Sequence, residues 1–311
     1  MDDRKLKEGG LLLAVFMGLL VLTVYIPFLG FMASFFLALP FILFSAKYER
    51  KDAALFLAVS LLSGFLAGGF AGLSFAFLYG LTGVTLGDFI RKRKTRMAGF
   101  IAGSLVFLVV LVIQYIASIV FFDTNIIKDL LQGMEQRFHR SLDIVELPGT
   151  VGKEELAEQI GQLIKIAEIL IPSFFVVISF AYVLMIQLVS FPIASRFLPY
   201  VPKWKPLREW VLPRSLLWYY LIVLLISLFV PLEQESYLYA AVLNLSFVLQ
   251  LLMFIQGLSF IFYFFHVKNQ PVAVPVLITA AVFIFPAFSL PLVRILGIID
   301  LGFRLREKLK T

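Results

Sequence analysis

Residues 53–94 decide how this chain folds: AALFLAVSLLSGFLAGGFAGLSFAFLYGLTGVTLGDFIRKRK. From Ala53 to Ile90 the stretch is apolar except for the single charge of Asp88. As one helix it would be about 57 Å long at 1.5 Å per residue, nearly twice the hydrocarbon core of about 30 Å. The stretch must therefore break, and the pair Gly68-Gly69 predicts where. We expect two membrane-spanning helices here.

Small residues recur at every fourth position within this stretch. They are Gly64, Gly68, Gly72, Ala76 and Gly80, and the spacing repeats at Gly83 and Gly87. Such seams let helix backbones approach closely, so the pattern predicts tight packing within the protein. Ala14 and Gly18 form a separate short seam on the first helix, which faces either a neighbouring helix or a partner subunit.

The whole chain has the composition of a membrane protein. Of its 311 residues 61% are hydrophobic and 15% are charged, and the mean hydropathy is +0.96. Soluble domains carry about 25% charged residues. The formal charge of +7 comes from Lys and Arg in short loops, which is a topology signal and does not predict binding to nucleic acid. The absence of cysteine excludes disulfides, thiolate metal sites and thiol catalysis.

The predicted fold is all-α, a transmembrane bundle of about eight to ten helices in one integral membrane domain, residues 1–311. Basic residues at Arg4, Lys5 and Lys7 and at 91–94 place the N-terminus on the cytoplasmic side. The first apolar run has no cleavage site and is interpreted as a retained span. A basic tail kept inside requires ten helices, and nine with the tail outside is the alternative. The ten cover about 10–28, 31–46, 53–68, 69–90, 98–121, 168–190, 215–230, 237–265, 272–286 and 288–303.

Two segments between the spans have their own character. Residues 122–166 are rich in acidic residues and predict an extracytoplasmic insertion of two amphipathic helices, broken at Leu147-Pro148-Gly149. This insertion either lies on the outer surface or covers an outward-facing cavity. Residues 191–214 form a cytoplasmic loop of basic and aromatic residues, whose Trp and Tyr fit the membrane interface.

Polar side chains at membrane depth are the candidates for function, because they are costly there. They are Gln114, Gln187, Asn244, Gln250, Gln256, Arg294 and Asp300. One interpretation is interhelical hydrogen bonding, with Asp300 and Arg304 paired at i,i+4. The other is a solute pocket beneath residues 122–166, with Gln114, Tyr115, Asn244 and Gln250 as its ligand-binding residues. No catalytic motif, metal-ligand pair or cofactor motif is present, so we expect no enzyme.

Two short runs suggest a family. The chain resembles the YybS-like family of uncharacterised bacterial membrane proteins, through Leu81-Thr82-Gly83-Val84-Thr85-Leu86-Gly87 before Arg91, and Leu296-Gly297-Ile298-Ile299-Asp300 before Arg304 and Arg306. Its N-terminal part is similar to the substrate-binding (S) components of energy-coupling-factor vitamin transporters. In those proteins a small-x-x-x-small motif on the first helix contacts the coupling subunit. The resemblance implies that role for Ala14 and Gly18.

Two functions are consistent with these features, both in a bacterial cytoplasmic membrane. The first is a transport-type protein that binds a small-molecule solute, with a coupling subunit or other membrane protein as partner. The second is a scaffold or regulatory partner without a solute, docking through Lys203, Lys205 and Arg208 of the cytoplasmic loop or resting on anionic lipid. The chain contains no ATP-binding motif, so active transport would draw on a separate subunit or an ion gradient.

Overall fold

The protein is helical throughout the part that can be described. The computed structural model describes residues 3–144, 152–233, 236–303 and 305–309, and within these every regular element is a helix. Seven helical segments are long and apolar enough to cross a membrane, and two shorter apolar helices accompany them. One of the seven, Pro27–Lys47, consists of two short helices in succession. The predicted polytopic helical bundle is confirmed. The predicted break at Leu147-Pro148-Gly149 lies outside the described residues.

The helices follow one another closely along the chain. They are α1 (Asp3–Tyr25), α2 (Pro27–Ser34), α3 (Leu39–Lys47), α4 (Arg50–Arg91), α5 (Arg96–Phe122), α6 (Ile126–Ile144), α7 (Lys153–Ile169), α8 (Ile171–Ala194), a 3₁₀ turn (Leu207–Glu209), α9 (Ser215–Phe229), α10 (Tyr237–Val267), α11 (Ala273–Ile284), α12 (Pro286–Phe303) and α13 (Leu305–Lys308).

Helix α4 is two arms joined by a reversal at Gly69, where φ is 58° and ψ is −142°. A Cβ on Gly64 would lie 2.9 Å from the carbonyl oxygen of Gly72. Residues eight apart on a continuous helix are separated by about 12 Å, so this contact requires the second arm to fold back on the first. The chain breaks at Gly68-Gly69, as the sequence predicts, because glycine adopts a positive φ without steric cost.

The rest of the small-residue seam lies along the second arm of α4, which packs against α3. A Cβ on Gly83 would lie 2.6 Å from the carbonyl oxygen of Ala38. A Cβ on Gly87 would lie 2.6 Å from that of Ile42. These distances leave no room for a side chain, so the seam belongs to contacts within the protein.

The helix predicted over 31–46 is wrong in detail, because two shorter helices replace it. Helix α2 begins at Pro27, directly after a one-residue turn at Ile26, and ends at Ser34. Helix α3 begins at Leu39 with Pro40 in its first turn. A proline inside a continuous helix would lose a backbone hydrogen bond, whereas the first turn has none to lose. The chain therefore stops and restarts at this proline.

The packing divides the chain into two compact units, whereas the sequence predicts one domain over residues 1–311. The first unit is Met1–Ser141 with Phe174–Trp204, and the second is Leu142–Ser173 with Lys205–Thr311. In the first unit, ion pairs join Lys5 to Asp52 and Arg50 to Asp88, both at 2.8 Å. They bring helix ends together at one end of this unit, the end that the basic residues predict to be cytoplasmic.

In the second unit α10 and α12 run parallel. The pairs Gln250–Arg294 and Gln256–Asp300 face each other with the same separation of 44 residues. Close to these pairs the two helices touch: a Cβ on either Gly257 or Gly297 would overlap a carbonyl oxygen of the opposite helix. Helix α11 returns the chain between these two, yet its 12 residues span about 18 Å, less than a full hydrocarbon core.

The hairpin contact within α4 predicts a large effect of one methyl group. In Gly72→Ala the new Cβ would overlap the carbonyl oxygen of Gly64, and we expect a loss of about 1–3 kcal/mol, typical of overpacking. Thermal unfolding of the purified protein in detergent should show a clearly lower Tm. Gly18→Ala is the matched control, because no atom lies within 4 Å of its Cβ position. Equal Tm values for both variants would contradict the hairpin.

Candidate functional site

Two of the four predicted ligand-binding residues lie in the first unit. Gln114 donates from Nε2 to the carbonyl oxygen of Ser74 at 2.8 Å, which ties α5 to the second arm of α4. Tyr115 donates from its hydroxyl to Oδ1 of Asn125 at 3.2 Å. The same Oδ1 accepts from the backbone N–H of Lys128 at 3.1 Å and so caps the start of α6. Both side chains hold helices in place.

Asn244 lies in the second unit and uses its whole amide. Its Oδ1 accepts from the backbone N–H and the hydroxyl of Ser173, at 3.0 and 2.7 Å. Its Nδ2 donates to the carbonyl oxygens of Ile169 and Ala240, at 2.6 and 2.9 Å. Because the α7–α8 junction lies at Leu170, this single side chain fastens that junction to α10.

A cleft of about 760 Å³ lies between α7 and the first turn of α10. Small-molecule sites commonly measure about 300–1,000 Å³. Asn244 is not itself a lining residue, but it bonds the main chain of two residues that are, Ile169 and Ala240. The polar lining consists of Glu158, Gln162, Lys165 and Glu168 from α7 with Ser236, Tyr237 and Tyr239 from α10. We call this space the α7–α10 cleft.

Arg294 is the cation that lies deepest in the second unit. Its guanidinium donates to Oε1 of Gln250 and makes no ion pair with any described residue. Gln250 is 13 residues from the start of α10 and 17 from its end, about 20 and 26 Å along the axis. Neither end is within reach of an arginine side chain. Insertion scales assign a central arginine a cost of about 2.5–3.5 kcal/mol.

At the other end of the second unit, Asp300 anchors a buried polar network. Its Oδ2 accepts from Nε2 of Gln256 and, at 2.9 Å, from Nε of Arg306. The guanidinium of Arg306 also donates to the carbonyl oxygen of Arg208 at 2.8 Å and to the hydroxyl of Ser259 at 2.9 Å. The predicted partner Arg304 lies outside the described residues. We call this set of side chains the Asp300–Arg306 clamp.

The clamp holds the basic-aromatic loop against the helices. Leu212 donates its backbone N–H to Oε1 of Gln256 at 2.9 Å. The hydroxyl of Ser259, which is fully buried, bonds to the carbonyl oxygens of Leu207 and Trp210 at 2.7 and 2.6 Å. Residues 207–212 therefore have a fixed backbone, since their main chain bonds to buried side chains of α10.

Sequence reasoning missed a cluster of hydroxyls in the core of the first unit. Tyr79 donates to the hydroxyl of Tyr182 at 2.9 Å, and that hydroxyl also contacts the hydroxyl of Ser34. Ser34 is the last residue of α2, where the helix is interrupted. In an apolar run the pattern does not distinguish a tyrosine from a phenylalanine. The sequence signal near this hydroxyl cluster is Pro40, which follows the interruption between α2 and α3.

A second polar contact of this unit joins Gln187, one of the polar residues predicted at membrane depth, to Arg96, which is not among them. Gln187 is fully buried, and its side-chain and backbone oxygens accept from Arg96 at 3.2 and 2.8 Å. The guanidinium also lies over the rings of Phe191 and Trp204, 4.7 and 5.0 Å from their centroids. Only Thr95 separates Arg96 from the basic run 91–94, so the sequence pattern does not distinguish it from that run.

The four predicted ligand-binding residues do not meet in one place within either unit. Gln114 and Tyr115 make separate contacts in the first unit, and on α10 Asn244 faces Ser173 while Gln250 faces Arg294. All four have partners in the protein, which fits interhelical hydrogen bonding. Their contact with a solute stays a prediction.

The short seam of α1 differs from the long seam of α4. Ala14 and Gly18 are exposed, and no atom lies within 4 Å of a Cβ placed on Gly18. Gly10, one turn earlier on the same face, is equally open. This face of α1 has no packing partner among the described residues of the first unit.

Comparison with known proteins gives a family without a described activity. A family model described as "Predicted membrane protein (DUF2232)" matches residues 14–301. A protein of Bacillus subtilis (strain 168), "Uncharacterized protein YybS", is 36% identical over 318 aligned positions that cover 99% of each chain. No solved structure matches significantly.

The Asp300–Arg306 clamp predicts non-additive losses of stability. Asp300→Ala leaves the buried Arg306 cation uncompensated, which typically costs about 3–5 kcal/mol, and Arg306→Met leaves a buried carboxylate. The double variant should lose less than the sum of the two single losses, as measured by thermal unfolding. Glu307→Ala removes an acid that is 66% exposed and should change Tm little. Additive losses would exclude the clamp.

Proposed function

This chain belongs to the DUF2232 family of predicted membrane proteins, and we propose that it is a non-catalytic membrane protein that captures a small polar solute in the α7–α10 cleft. We place the protein in the bacterial cytoplasmic membrane with this cleft on the extracytoplasmic side. The observation that carries the proposal is the cleft itself, about 760 Å³ in volume, with two of its lining residues, Ile169 and Ala240, bonded through their main chain to Asn244.

The charges of the cleft favour a cationic or zwitterionic solute. Its lining residues include two acids, Glu158 and Glu168, and one cation, Lys165. Tyr237 and Tyr239 add aromatic rings, whose faces attract ammonium groups. A neutral apolar molecule would leave these carboxylates without a partner, and an anion would be repelled by them.

The structure below the cleft supports capture more readily than chemistry. The amide of Asn244 is fully used by main-chain groups and Ser173, so it holds two lining residues in place and has no free group to react. The sequence contains no ATP-binding motif. Movement of a captured solute would therefore depend on a partner protein or on an ion gradient.

Solute capture is tested by ligand-dependent stabilisation. The full-length protein in nanodiscs is titrated with free amino acids, polyamines and quaternary ammonium compounds while Tm is recorded, because a ligand that binds only the folded state raises Tm. We expect at least one member of this panel to do so. Glu168→Gln should then weaken its affinity about tenfold, the scale of one hydrogen bond to a charged group.

The matched control is Glu155→Gln, which removes the same charge from an exposed position of α7 that does not line the cleft. Its affinity should equal that of the unaltered protein. If no compound of these classes raises Tm, or if both variants weaken binding equally, the cleft does not capture such a solute.

A second candidate function is that of a scaffold or regulatory partner in the membrane. The observation that favours it is the exposed face of α1 formed by Gly10, Ala14 and Gly18, with larger exposed side chains such as Leu11 and Val15 beside it. Surfaces with this spacing allow two membrane helices to approach closely. A coupling subunit or another membrane protein would dock here without any solute.

This second function is tested by the mass of the extracted complex. No atom lies within 4 Å of a Cβ placed on Gly18, so for Gly18→Leu we expect an unchanged Tm while native electrophoresis shows a smaller assembly. Ala58→Leu makes the same kind of change at an exposed position of α4 and should leave the assembly intact. An unchanged mass for Gly18→Leu would argue against docking through α1.

A further inference from the structure

A second cavity lies at the opposite end of the second unit from the α7–α10 cleft. Its volume is about 200 Å³, and it is enclosed by the basic-aromatic loop, the end of α10 and the start of α11. Three side chains can donate hydrogen bonds into it, Arg208, His266 and Gln270. The other walls are apolar and include Phe262, Val272 and Pro275. A ligand that fits would combine an anionic group with an apolar part.

Arg208 supplies the charge of this cavity. Its side chain is half-buried and makes no ion pair with any described residue. Of the neighbouring acids, Glu209 is exposed and likewise makes no ion pair with a described residue, while Glu307 pairs with Arg214 at 3.8 Å. The planar guanidinium of an arginine matches two oxygens of a phosphate in bidentate geometry.

The backbone that carries Arg208 is fixed in place. The Asp300–Arg306 clamp bonds the carbonyl oxygen of Arg208, and buried Ser259 bonds that of the preceding Leu207. The arginine thus projects from a rigid turn, so little backbone entropy would be lost when it binds an anion. His266 lies one turn after Phe262 on α10, which places a polar and an apolar wall on the same helix.

We propose that this cavity binds the phosphate-bearing headgroup of an anionic phospholipid. Arg208 holds the phosphate, with His266 and Gln270 as additional donors, and the lipid's glycerol and first methylenes lie against Phe262, Val272 and Pro275. Basic cavities between helices on the cytoplasmic side are suited to such headgroups. Aromatic and basic residues of the loop, among them Trp210, place the cavity at headgroup depth. This site is separate from the α7–α10 cleft and does not depend on solute capture.

The test uses the full-length protein in detergent micelles that contain phosphatidylglycerol or phosphatidylcholine with identical acyl chains. Bound lipids are counted by native mass spectrometry. Phosphatidylcholine carries the same phosphate together with a trimethylammonium group that offsets its charge. We therefore expect about a tenfold preference for phosphatidylglycerol, the scale of one charge-assisted contact, and loss of that preference in Arg208→Gln. Lys205→Gln removes the same charge from the same loop without touching the cavity and should keep the preference.

A third variant tests the cavity independently, in case Arg208→Gln does not fold. Val272→Trp fills the cavity from a residue that is 63% exposed and keeps Arg208 and the clamp, so it should also abolish the preference. Equal losses in the Arg208 and Lys205 variants would show that lipid is attracted by the overall basic charge, and would overturn the proposal. Displacement of phosphatidylglycerol by millimolar inorganic phosphate would overturn it too, since the site would then belong to a free anion.

Discussion

The backbone contact between Gly64 and Gly72 is the constraint on which the first unit depends. It turns the 42 residues of α4, about 63 Å as a single helix, into two arms of membrane-spanning length. Because the second arm returns, Asp88 at its end comes to within 2.8 Å of Arg50 at the start of the first arm. The returning arm also presents Gly83 and Gly87 to the carbonyl oxygens of α3. A side chain at Gly72 would push the two arms apart. It would also separate Arg50 and Asp88, the charged residues that the arms bring together.

Lipid imposes the same requirement on polar side chains as on the backbone, because neither finds water in the hydrocarbon core. Asn244, Gln256 and Ser259 satisfy it by bonding the main chain of neighbouring segments. Arg294 satisfies it only in part, since its partner is the neutral amide of Gln250. A cation so far from both ends of α10 is expensive. It is therefore the polar group in this unit that packing explains least.

The sequence predicts what depends on local pattern. The break at Gly68-Gly69 follows from helix length and glycine alone, and the polar residues at depth are easily recognised. Partners are harder to predict, because they depend on how the chain folds over longer distances. The sequence pairs Asp300 with Arg304, which lies outside the described residues, whereas the partner that the structure shows for Asp300 is Arg306, six positions on. The α7–α10 cleft joins segments about 75 residues apart in the chain, and no short motif marks it.

The two ends of α10 differ in how firmly they are held, and this difference bears on where a solute can act. Toward its end, α10 crosses α12 backbone to backbone at Gly257 and Gly297 and carries the Asp300–Arg306 clamp. At its start, the described side-chain contacts with the α7–α8 junction come from Asn244. It bonds Ser173 and the carbonyl oxygen of Ile169 and, within α10, the carbonyl oxygen of Ala240. A solute entering the cleft would therefore displace α7 more easily than α10. For the solute capture proposed above, the rigid end of α10 would serve as the frame, and the α7 wall would be the part that adjusts.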